Sequence, residues 1–178
     1  MNPADTLRAE AVKRILIKDG AYGTLIQQHR LQEADYRGAL DLSKDQRGNN
    51  DLLNLTKPDV VRSICESFAE AGAEILATNT FNANAISQAD FGAEDLVKQI
   101  NRASAEIVCD VADRSSGKDG KPRWVAGAIG PTNKTLSLSP NVNDPGFREV
   151  DFDQVKAIYR EQVDALVEGG VDFVLVET

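Results

Sequence analysis

Short apolar runs and longer amphipathic segments alternate along this chain. Four of the runs are typical of buried strands: Ile15–Ile17, Glu74–Phe81, Trp124–Pro131 and Val171–Thr178. Between them, apolar residues recur at helical spacing over three segments: Thr56 to Gly72, Glu94 to Arg114 and Asp153 to Glu168. A further stripe between Pro3 and Arg14 predicts a leader helix within residues 1–14. Because strands and helices alternate, we predict an α/β fold with a parallel sheet.

Two α/β architectures fit this alternation, a flavodoxin-like doubly wound sheet and a (βα)8 barrel. A polar stretch rich in Gly, Asn and Thr follows the C-terminal end of each strand, which is where a barrel builds its site. Four units in 178 residues scale to about 350 residues for eight units, a normal size for a barrel with insertions. We therefore predict the first four βα units, half of a (βα)8 TIM-type barrel with parallel strands, over residues 15–178.

The fourth predicted strand, Val171–Thr178, is the last segment of the chain. A parallel strand that is buried on both faces is normally followed by a covering helix. We therefore expect the chain to be a piece of a larger barrel that is truncated after strand 4.

Composition and charge exclude several classes of protein. The net charge of −8 argues against nucleic acid as the main partner, because phosphate binding requires a surplus of Lys and Arg. No apolar run approaches the roughly 18 residues of a membrane-spanning helix, so we expect no membrane partner. Residues 1–17 lack the basic and apolar regions of a signal peptide, and we predict a cytoplasmic location.

The turn Asp19-Gly-Ala-Tyr-Gly-Thr24 follows the first predicted strand. Its two glycines allow a tight turn whose free N–H groups can hold a carboxylate, while the Asp side chain can take a cation. The same residues also make an ordinary Asp-Gly turn, and the sequence leaves both interpretations open.

Polar side chains also follow the second and fourth predicted strands. Thr78-Asn-Thr80 can line a pocket or cap the next helix, and both interpretations stay open. Glu177 follows the apolar run Phe173–Val176, where a carboxylate is costly unless it is paired or lies at the mouth of a site. Its best partner is an ammonium group, such as the amine of a free amino acid. We therefore predict a binding role for Glu177.

Phosphate and metal sites are both disfavoured by the residues present. The segment Gly127–Thr135 has some features of a phosphate loop, but Asn133 stands where the pattern requires Gly directly before Lys. The soft metal ligands are Cys65, Cys109 and His29, and none of them lies at a strand tip. We therefore expect no metal site that is built from this chain alone.

Seven segments, in order and at consistent spacing from about residue 15 onward, carry a family resemblance. They are Asp19-Gly-Ala-Tyr-Gly-Thr24, Asp35-Tyr-Arg-Gly38, Gly48-Asn-Asn-Asp-Leu-Leu53, Thr78-Asn-Thr-Phe81, Gly127-Ala-Ile-Gly-Pro-Thr132, Leu138-Ser-Pro-Asn-Val-Asn-Asp-Pro-Gly-Phe-Arg148 and Gly169-Gly-Val-Asp-Phe-Val-Leu-Val-Glu-Thr178. Through them the chain resembles the homocysteine S-methyltransferase family, and within it the N-terminal homocysteine-binding module of cobalamin-dependent methionine synthases. The Asn-Asn-Asp and Ser-Pro-Asn-Val-Asn-Asp-Pro stretches favour this branch over the betaine-dependent relatives.

The resemblance implies a (βα)8 barrel that binds homocysteine and a zinc ion. In this family the zinc-bound thiolate takes a methyl group from methylcobalamin. Methyltetrahydrofolate regenerates the methylcobalamin on folate- and cobalamin-binding domains of a much longer protein. The chemistry is consistent, since a thiol with a pKa of about 8.5 is mostly protonated at neutral pH and zinc ligation holds it as a thiolate.

The resemblance also implies roles for individual residues. The implied substrate-binding residues are Asp19, Gly20, Ala21, Thr78, Asn79 and Glu177. Asp19 and the two residues after it match the family's anchor for the amine and carboxylate of the substrate, and Glu177 matches its amine-facing glutamate. Thr78 and Asn79 are candidates for lining the same pocket.

The chain departs from the family pattern at several positions. The family's zinc cysteines lie on strands six and eight, beyond Thr178, and Cys65 and Cys109 do not match them. Tyr22 stands where the family usually has Met, and Ala77 where it often has an acidic residue. We therefore expect no catalytic residue, bound zinc or bound cobalamin in this chain, and no methyl transfer by it alone. The alternative prediction is a half-barrel that self-associates through its open edges without catalysis.

Overall fold

A computed structural model describes residues 2–177 of the chain. The α-helices in this range are α1 (Pro3–Lys13), α2 (Tyr22–Gln28), α3 (Glu33–Arg37), α4 (Leu53–Thr56), α5 (Pro58–Glu70), α6 (Ala85–Gln88), α7 (Val97–Asp119) and α8 (Phe152–Glu168). The strands are β1 (Ile75–Ala77), β2 (Trp124–Ile129) and β3 (Phe173–Val176), and short 3-10 turns occupy Asn50–Leu52, Ala89–Phe91 and Glu94–Leu96. Met1 and Thr178, the outer ends of the predicted leader segment and fourth strand, lie outside the described residues.

Across the described residues the strands form one parallel sheet in the order β1-β2-β3. Ile75 of β1 is in register with Trp124 of β2, and Ala126 of β2 with Phe173 of β3. All residues of β2 are buried, as expected for a central strand that is covered on both faces. The predicted α/β class and parallel sheet are therefore confirmed.

The first predicted strand, Ile15–Ile17, is not a strand in the structure. The segment makes one isolated parallel bridge, between Lys18 and Ile75. The Ile75 N–H donates to the Ile17 carbonyl at 3.1 Å, and the Asp19 N–H donates to the Ile75 carbonyl at 2.9 Å. Directly after Asp19 the chain turns away into α2, so pairing stops after this bridge. The count of four strand–helix units is therefore not confirmed.

The long polar segment between α2 and α5 is ordered by buried amide side chains. Gln46 and Asn49 are buried in it, although both are polar. The Gln46 Nε2 donates to the Phe91 carbonyl at 2.8 Å. Asn49 and Gln88 exchange two amide hydrogen bonds, of 2.9 and 3.1 Å. Because each buried amide has a partner, the segment packs as part of the domain and brings its next residues to the sheet.

Helices α5, α7 and α8 pack against the sheet, with α7 between the other two. Their apolar stripes meet the strands in a core that includes Val61 and Ile64 of α5, Val108 of α7 and Leu76 of β1. Leu166 of α8 joins a second cluster that reaches β2. These stripes are the ones that the helical spacing predicts. No helix within residues 2–177 has the length and apolarity to cross a membrane.

Helix α7 extends five residues beyond the predicted end at Arg114 and includes Ser115–Asp119. It ends at Gly120, which has a left-handed backbone with φ of 72°. The Ser and Gly residues that suggest a turn are tolerated in the solvent-exposed last turns of the helix, and the residue that ends it is the one with positive φ.

Candidate functional site

A cavity of about 320 Å³ opens at the C-terminal edge of the parallel sheet. Its walls come from the turn before α2, the segment after β1, the 3-10 turn at Asn50–Leu52, Ala128 of β2 and Glu177 after β3. Sites in parallel α/β folds form at this edge, because the loops that follow the strands meet there. The sequence-predicted residues Gly20, Ala21, Thr78, Asn79 and Glu177 all border this cavity, and Asp19 lies next to it.

The carboxylate of Asp19 is buried and bridges two parts of the chain. Its Oδ2 accepts a hydrogen bond of 2.7 Å from the Ala77 N–H, and its Oδ1 lies 2.9 Å from the Lys18 Nζ. Burial raises the pKa of Asp19, although these two donors oppose the shift, and the negative charge of Glu177 raises the pKa further. A cation close by therefore favours the ionised form of Asp19.

Glu177 follows β3, at the opposite edge of the sheet from β1, and reaches the same cation. Its N–H donates to the Ile129 carbonyl at 2.8 Å, which fixes the backbone at the end of β3. Its Oε1 lies 3.4 Å from the Lys18 Nζ. Partial burial lowers the pKa of Lys18, but Asp19 and Glu177 outweigh this effect, so the net pKa is raised and the lysine is protonated at neutral pH. Lys18, Asp19 and Glu177 form the charge cluster of the site.

The turn after Asp19 presents free backbone donors. Within residues 2–177 the N–H groups of Gly20, Ala21 and Tyr22 have no hydrogen-bond acceptor. Gly20 sits against Phe68, where an added Cβ would lie 3.0 Å from the ring, so a side chain at this point would require the ring to shift by a few tenths of an ångström. The Tyr22 ring is buried and tilts against Phe68 at 6.2 Å between centroids. The turn is therefore anchored by aromatic packing, and its N–H groups can donate to an anion.

The two threonines after β1 are bonded to β2. The Thr80 hydroxyl donates to the Ala128 carbonyl at 2.7 Å and lies 2.6 Å from the Thr78 Oγ1. Thr78 Oγ1 in turn accepts from the Ala128 N–H at 2.9 Å. Since the Thr80 proton points to Ala128, the Thr78 proton is donated to Thr80. Both hydroxyls thus tie the cavity wall to the central strand and have no proton left for a ligand.

Asn79 connects the sheet to the loop that precedes α4. Its Nδ2 donates to the Asn50 carbonyl at 2.8 Å, and its N–H donates to the Ser104 hydroxyl at 2.9 Å. The Asn54 side chain donates back to the Asn79 carbonyl at 2.8 Å. Asn79 therefore holds Asn50 and Asp51 beside the cavity.

Asp51 is a buried acid of the cavity that the sequence does not identify as a site residue. Its Oδ1 accepts a hydrogen bond of 2.9 Å from the Asn82 N–H. Burial raises the pKa of Asp51 to about 7, against the opposing effect of backbone N–H donors. It also borders a second cavity of about 220 Å³ that Asp90 and Asn133 line. In the sequence, the polar surroundings of Asp51 suggest an exposed residue. The one signal that could have identified it as a site residue is its place in the Asn-Asn-Asp stretch.

The described residues do not fit a zinc ion. Within residues 2–177 no group of three or more His, Cys, Asp and Glu side chains could hold a metal. Burial raises the pKa of Cys65 to about 12 and that of Cys109 to about 11, so both are protonated thiols at neutral pH. Cys109 donates to the Gly170 carbonyl at 3.3 Å, away from the cavity. Neither thiol has the electropositive, accessible setting that a metal-binding thiolate requires.

Three solved structures of the homocysteine methyltransferase MmuM from Escherichia coli share this fold. The metallated form is 23% identical, with a TM-score of 0.73 over 99% of this chain and 57% of that chain. The oxidized form is 23% identical, with a TM-score of 0.70 over 98% and 56%. The apo form is 20% identical, with a TM-score of 0.63 over 97% and 52%. The chain thus spans little more than half the length of these relatives.

The family model of homocysteine S-methyltransferases matches residues 16–178. The match includes the three strands, the turn after Asp19 and every residue that borders the cavity. The resemblance that the seven sequence segments indicate is therefore confirmed at the level of the family. The chain belongs to the homocysteine S-methyltransferase family.

Proposed function

We propose that this chain forms the substrate-anchoring part of a homocysteine S-methyltransferase. The observation that carries the proposal is the convergence of the Asp19 and Glu177 carboxylates on one ammonium group, that of Lys18, beside the cavity. Carboxylates in this arrangement suit a ligand with an ammonium group, as every free amino acid has. Membership of the family supports homocysteine as that amino acid.

In this proposal Asp19 and Glu177 bind the ammonium group of homocysteine, and the N–H groups of Gly20 and Ala21 bind its carboxylate. The absence of acceptors for these N–H groups within residues 2–177 supports this assignment. Because the ammonium and the carboxylate on the α-carbon are both held, the direction of the side chain that carries the thiol is fixed. Thr78 and Asn79 shape the wall around the ligand, since both border the same space.

We propose further that the complete enzyme transfers the methyl group of methylcobalamin, renewed from methyltetrahydrofolate, to the thiol of homocysteine. The stretches Asn49–Asp51 and Ser139–Pro145 support this donor, because they are typical of the cobalamin-dependent branch. Activation of the thiol by zinc, which the family implies, requires ligands other than the described residues. The residues of this chain bind and orient the substrate, and we expect no methyl transfer by the chain alone.

The proposed organisation is a leader segment over residues 1–14 followed by the first half of the homocysteine-binding barrel over residues 15–178. The coverage of 57% of the Escherichia coli metallated structure supports a barrel with more units than this chain contains. We propose that the remaining units, and folate- and cobalamin-binding domains, belong to the complete enzyme.

A second candidate function is self-association through the edges of the sheet. β3 is an outer strand of the described sheet and its Val176 is 75% exposed, whereas the outer edge of β1 is already bonded at Ile75 to Ile17 and Asp19. An exposed apolar edge can pair with another copy of the chain. Light scattering coupled to size exclusion tests this candidate, which requires a discrete dimer. A monomer, or aggregates without a defined size, would exclude it.

Calorimetric titration of the 178-residue chain with L-homocysteine tests the anchoring function. The test variant is Glu177→Gln, which removes one anchoring charge, and the matched control is Glu149→Gln, since Glu149 pairs with Lys134 on the surface. We expect the test variant to weaken binding at least about tenfold, the loss typical of one charge-assisted hydrogen bond. The control binds as the wild type does. Equal affinity in both variants would contradict the proposed function.

A further inference from the structure

We propose that Lys18 is a built-in competitor of the substrate's ammonium group for Asp19 and Glu177. The inference rests on the proposed function and deepens it, because it names the residue that limits how tightly the site binds an amino acid. It also assigns a role to a side chain that would otherwise be only a surface lysine.

The position of Lys18 carries the inference. Its Nζ lies 2.9 Å from the Asp19 Oδ1 and 3.4 Å from the Glu177 Oε1, so one ammonium group already bridges both carboxylates. Lys18 and Glu177 both border the cavity. A ligand ammonium that approaches the same two carboxylates meets the positive charge of Lys18, and like charges at such distances repel. Ligand and lysine therefore exclude each other at this point.

In the charge cluster one ammonium group already serves both carboxylates. Two carboxylates and one ammonium leave the cluster with a net charge of −1, which attracts a ligand ammonium, but the position within reach of both carboxylates is the one that Lys18 occupies. The Asp19 side chain has no exposed surface, so removing its partner without replacement leaves a buried charge unpaired. A ligand ammonium that takes the place of Lys18 keeps this carboxylate paired throughout the exchange.

Lys18 is also able to leave. Its side chain is 36% exposed and that of Glu177 is 30% exposed, so the lysine has a path into water. Lysine carries its charge on a flexible four-carbon stem and is readily hydrated. The bridge to Ile75 holds the backbone of Lys18, and rotation about the bonds of its side chain moves the ammonium group toward water.

The exchange lowers the apparent affinity of the site by a predictable factor. If Lys18 occupies the carboxylates in about nine of ten molecules, the apparent Kd for an amino acid is about tenfold higher than the Kd of the open site. A neutral side chain at this position removes the competition, and the ligand's ammonium group then replaces Lys18 as the cation that favours the ionised form of Asp19. The effect is specific for ligands with an ammonium group.

The test compares the wild-type chain with Lys18→Met, which keeps an apolar stem of similar length, and with Lys134→Met as the matched control. Lys134 also pairs with a carboxylate, Glu149, but on an exposed loop. Each protein is titrated with L-homocysteine and with 4-mercaptobutanoate, which lacks the ammonium group. Lys18→Gln serves as a second variant, because its amide can still donate to Asp19, and circular dichroism establishes that each variant is folded.

We expect Lys18→Met and Lys18→Gln to bind L-homocysteine at least about fivefold more tightly than the wild type, with no gain for 4-mercaptobutanoate and no change in Lys134→Met. If the wild type binds and both Lys18 variants bind equally or more weakly, the inference is overturned while the proposed function stands. Weaker binding of both ligands would mean that Lys18 holds the ligand's carboxylate instead. If no folded variant binds L-homocysteine, the proposed function fails, and so does the inference, since an open carboxylate pair then attracts no ammonium.

Discussion

The Ala77 N–H donates a hydrogen bond of 2.7 Å to the buried Oδ2 of Asp19, and this bond links the turn before α2 to the end of β1. The other oxygen of the same carboxylate faces Lys18 at the cavity. One side chain therefore serves both the fold and the charge cluster. Glu177, in contrast, contacts the other two residues of the charge cluster only at Lys18.

This difference predicts separate effects for the two acids. Asp19→Ala leaves a buried N–H group without an acceptor, which lowers the free energy of unfolding by about 1–3 kcal/mol. Glu177→Ala removes a side chain that is 30% exposed and changes that free energy by less than about 1 kcal/mol. Urea unfolding followed by circular dichroism measures both. Equal losses in the two variants would mean that the Ala77 bond does not stabilise the fold.

The buried Asp51 predicts a pH dependence of stability. Burial raises its pKa from 3.8 to about 7. Between these values the folded state holds a proton that the unfolded state has lost, so this residue contributes stability at low pH that disappears as the pH rises through about 7. Asp51→Asn keeps an acceptor for Asn82 and removes the titration.

We therefore expect the stability of Asp51→Asn relative to the wild type to rise by about 2–4 kcal/mol between about pH 4 and pH 8. Thermal or urea unfolding across this range measures the change, and Asp41→Asn, at an exposed aspartate, is the control. A constant difference between variant and wild type at every pH would show that Asp51 titrates normally in the folded chain.

Gly130 and Gly117 predict opposite responses to the same substitution. A Cβ on Gly130 would lie 2.5 Å from the Phe81 carbonyl oxygen, whereas a Cβ on Gly117 meets nothing within 4 Å. Gly130→Ala pushes on the cavity wall and lowers the free energy of unfolding by about 1–3 kcal/mol. Gly117→Ala, inside α7, raises it by about 0.5–1 kcal/mol. Denaturant midpoints with unchanged slopes measure both, and equal midpoints would contradict the close approach at Gly130.

The cysteines predict low thiol reactivity and no zinc site. With pKa values of about 12 and about 11, Cys65 and Cys109 hold little thiolate near pH 8. Their reaction with a disulfide reagent is therefore at least about a hundredfold slower in the folded chain than in urea. We also expect well under one zinc ion per chain by elemental analysis after a chelator wash. Fast thiol reaction in the native chain, or stoichiometric zinc, would contradict this prediction.

Periodicity predicts the parallel sheet and the three main helices, because their apolar faces must be buried for the domain to fold. The same pattern wrongly predicts a first strand at Ile15–Ile17, because apolar residues do not show whether a segment has a neighbouring strand to pair with. Ile15 is 85% exposed and pairing is limited to one bridge. The apolar pattern also does not predict where α7 ends, because the left-handed backbone of Gly120 ends the helix.

The placement of the candidate site follows from strand ends, which bring Asp19 and Glu177 together although they are distant in the chain. Two of its features could not be predicted in this way. Lys18 has an ordinary sequence context, and only the fold turns it toward both carboxylates. From the sequence, the Thr78 hydroxyl could bind a ligand, but in the structure it is already hydrogen-bonded to Thr80 and to β2.

The most direct test of the central claim, that Asp19 and Glu177 anchor an ammonium group, compares two ligands on the wild-type chain. L-homocysteine and 4-mercaptobutanoate share the thiol and the carboxylate and differ only in the amine. Calorimetric titration should give L-homocysteine an affinity at least about tenfold higher, because only it can bridge the two carboxylates. Equal affinities for the two ligands would contradict the claim.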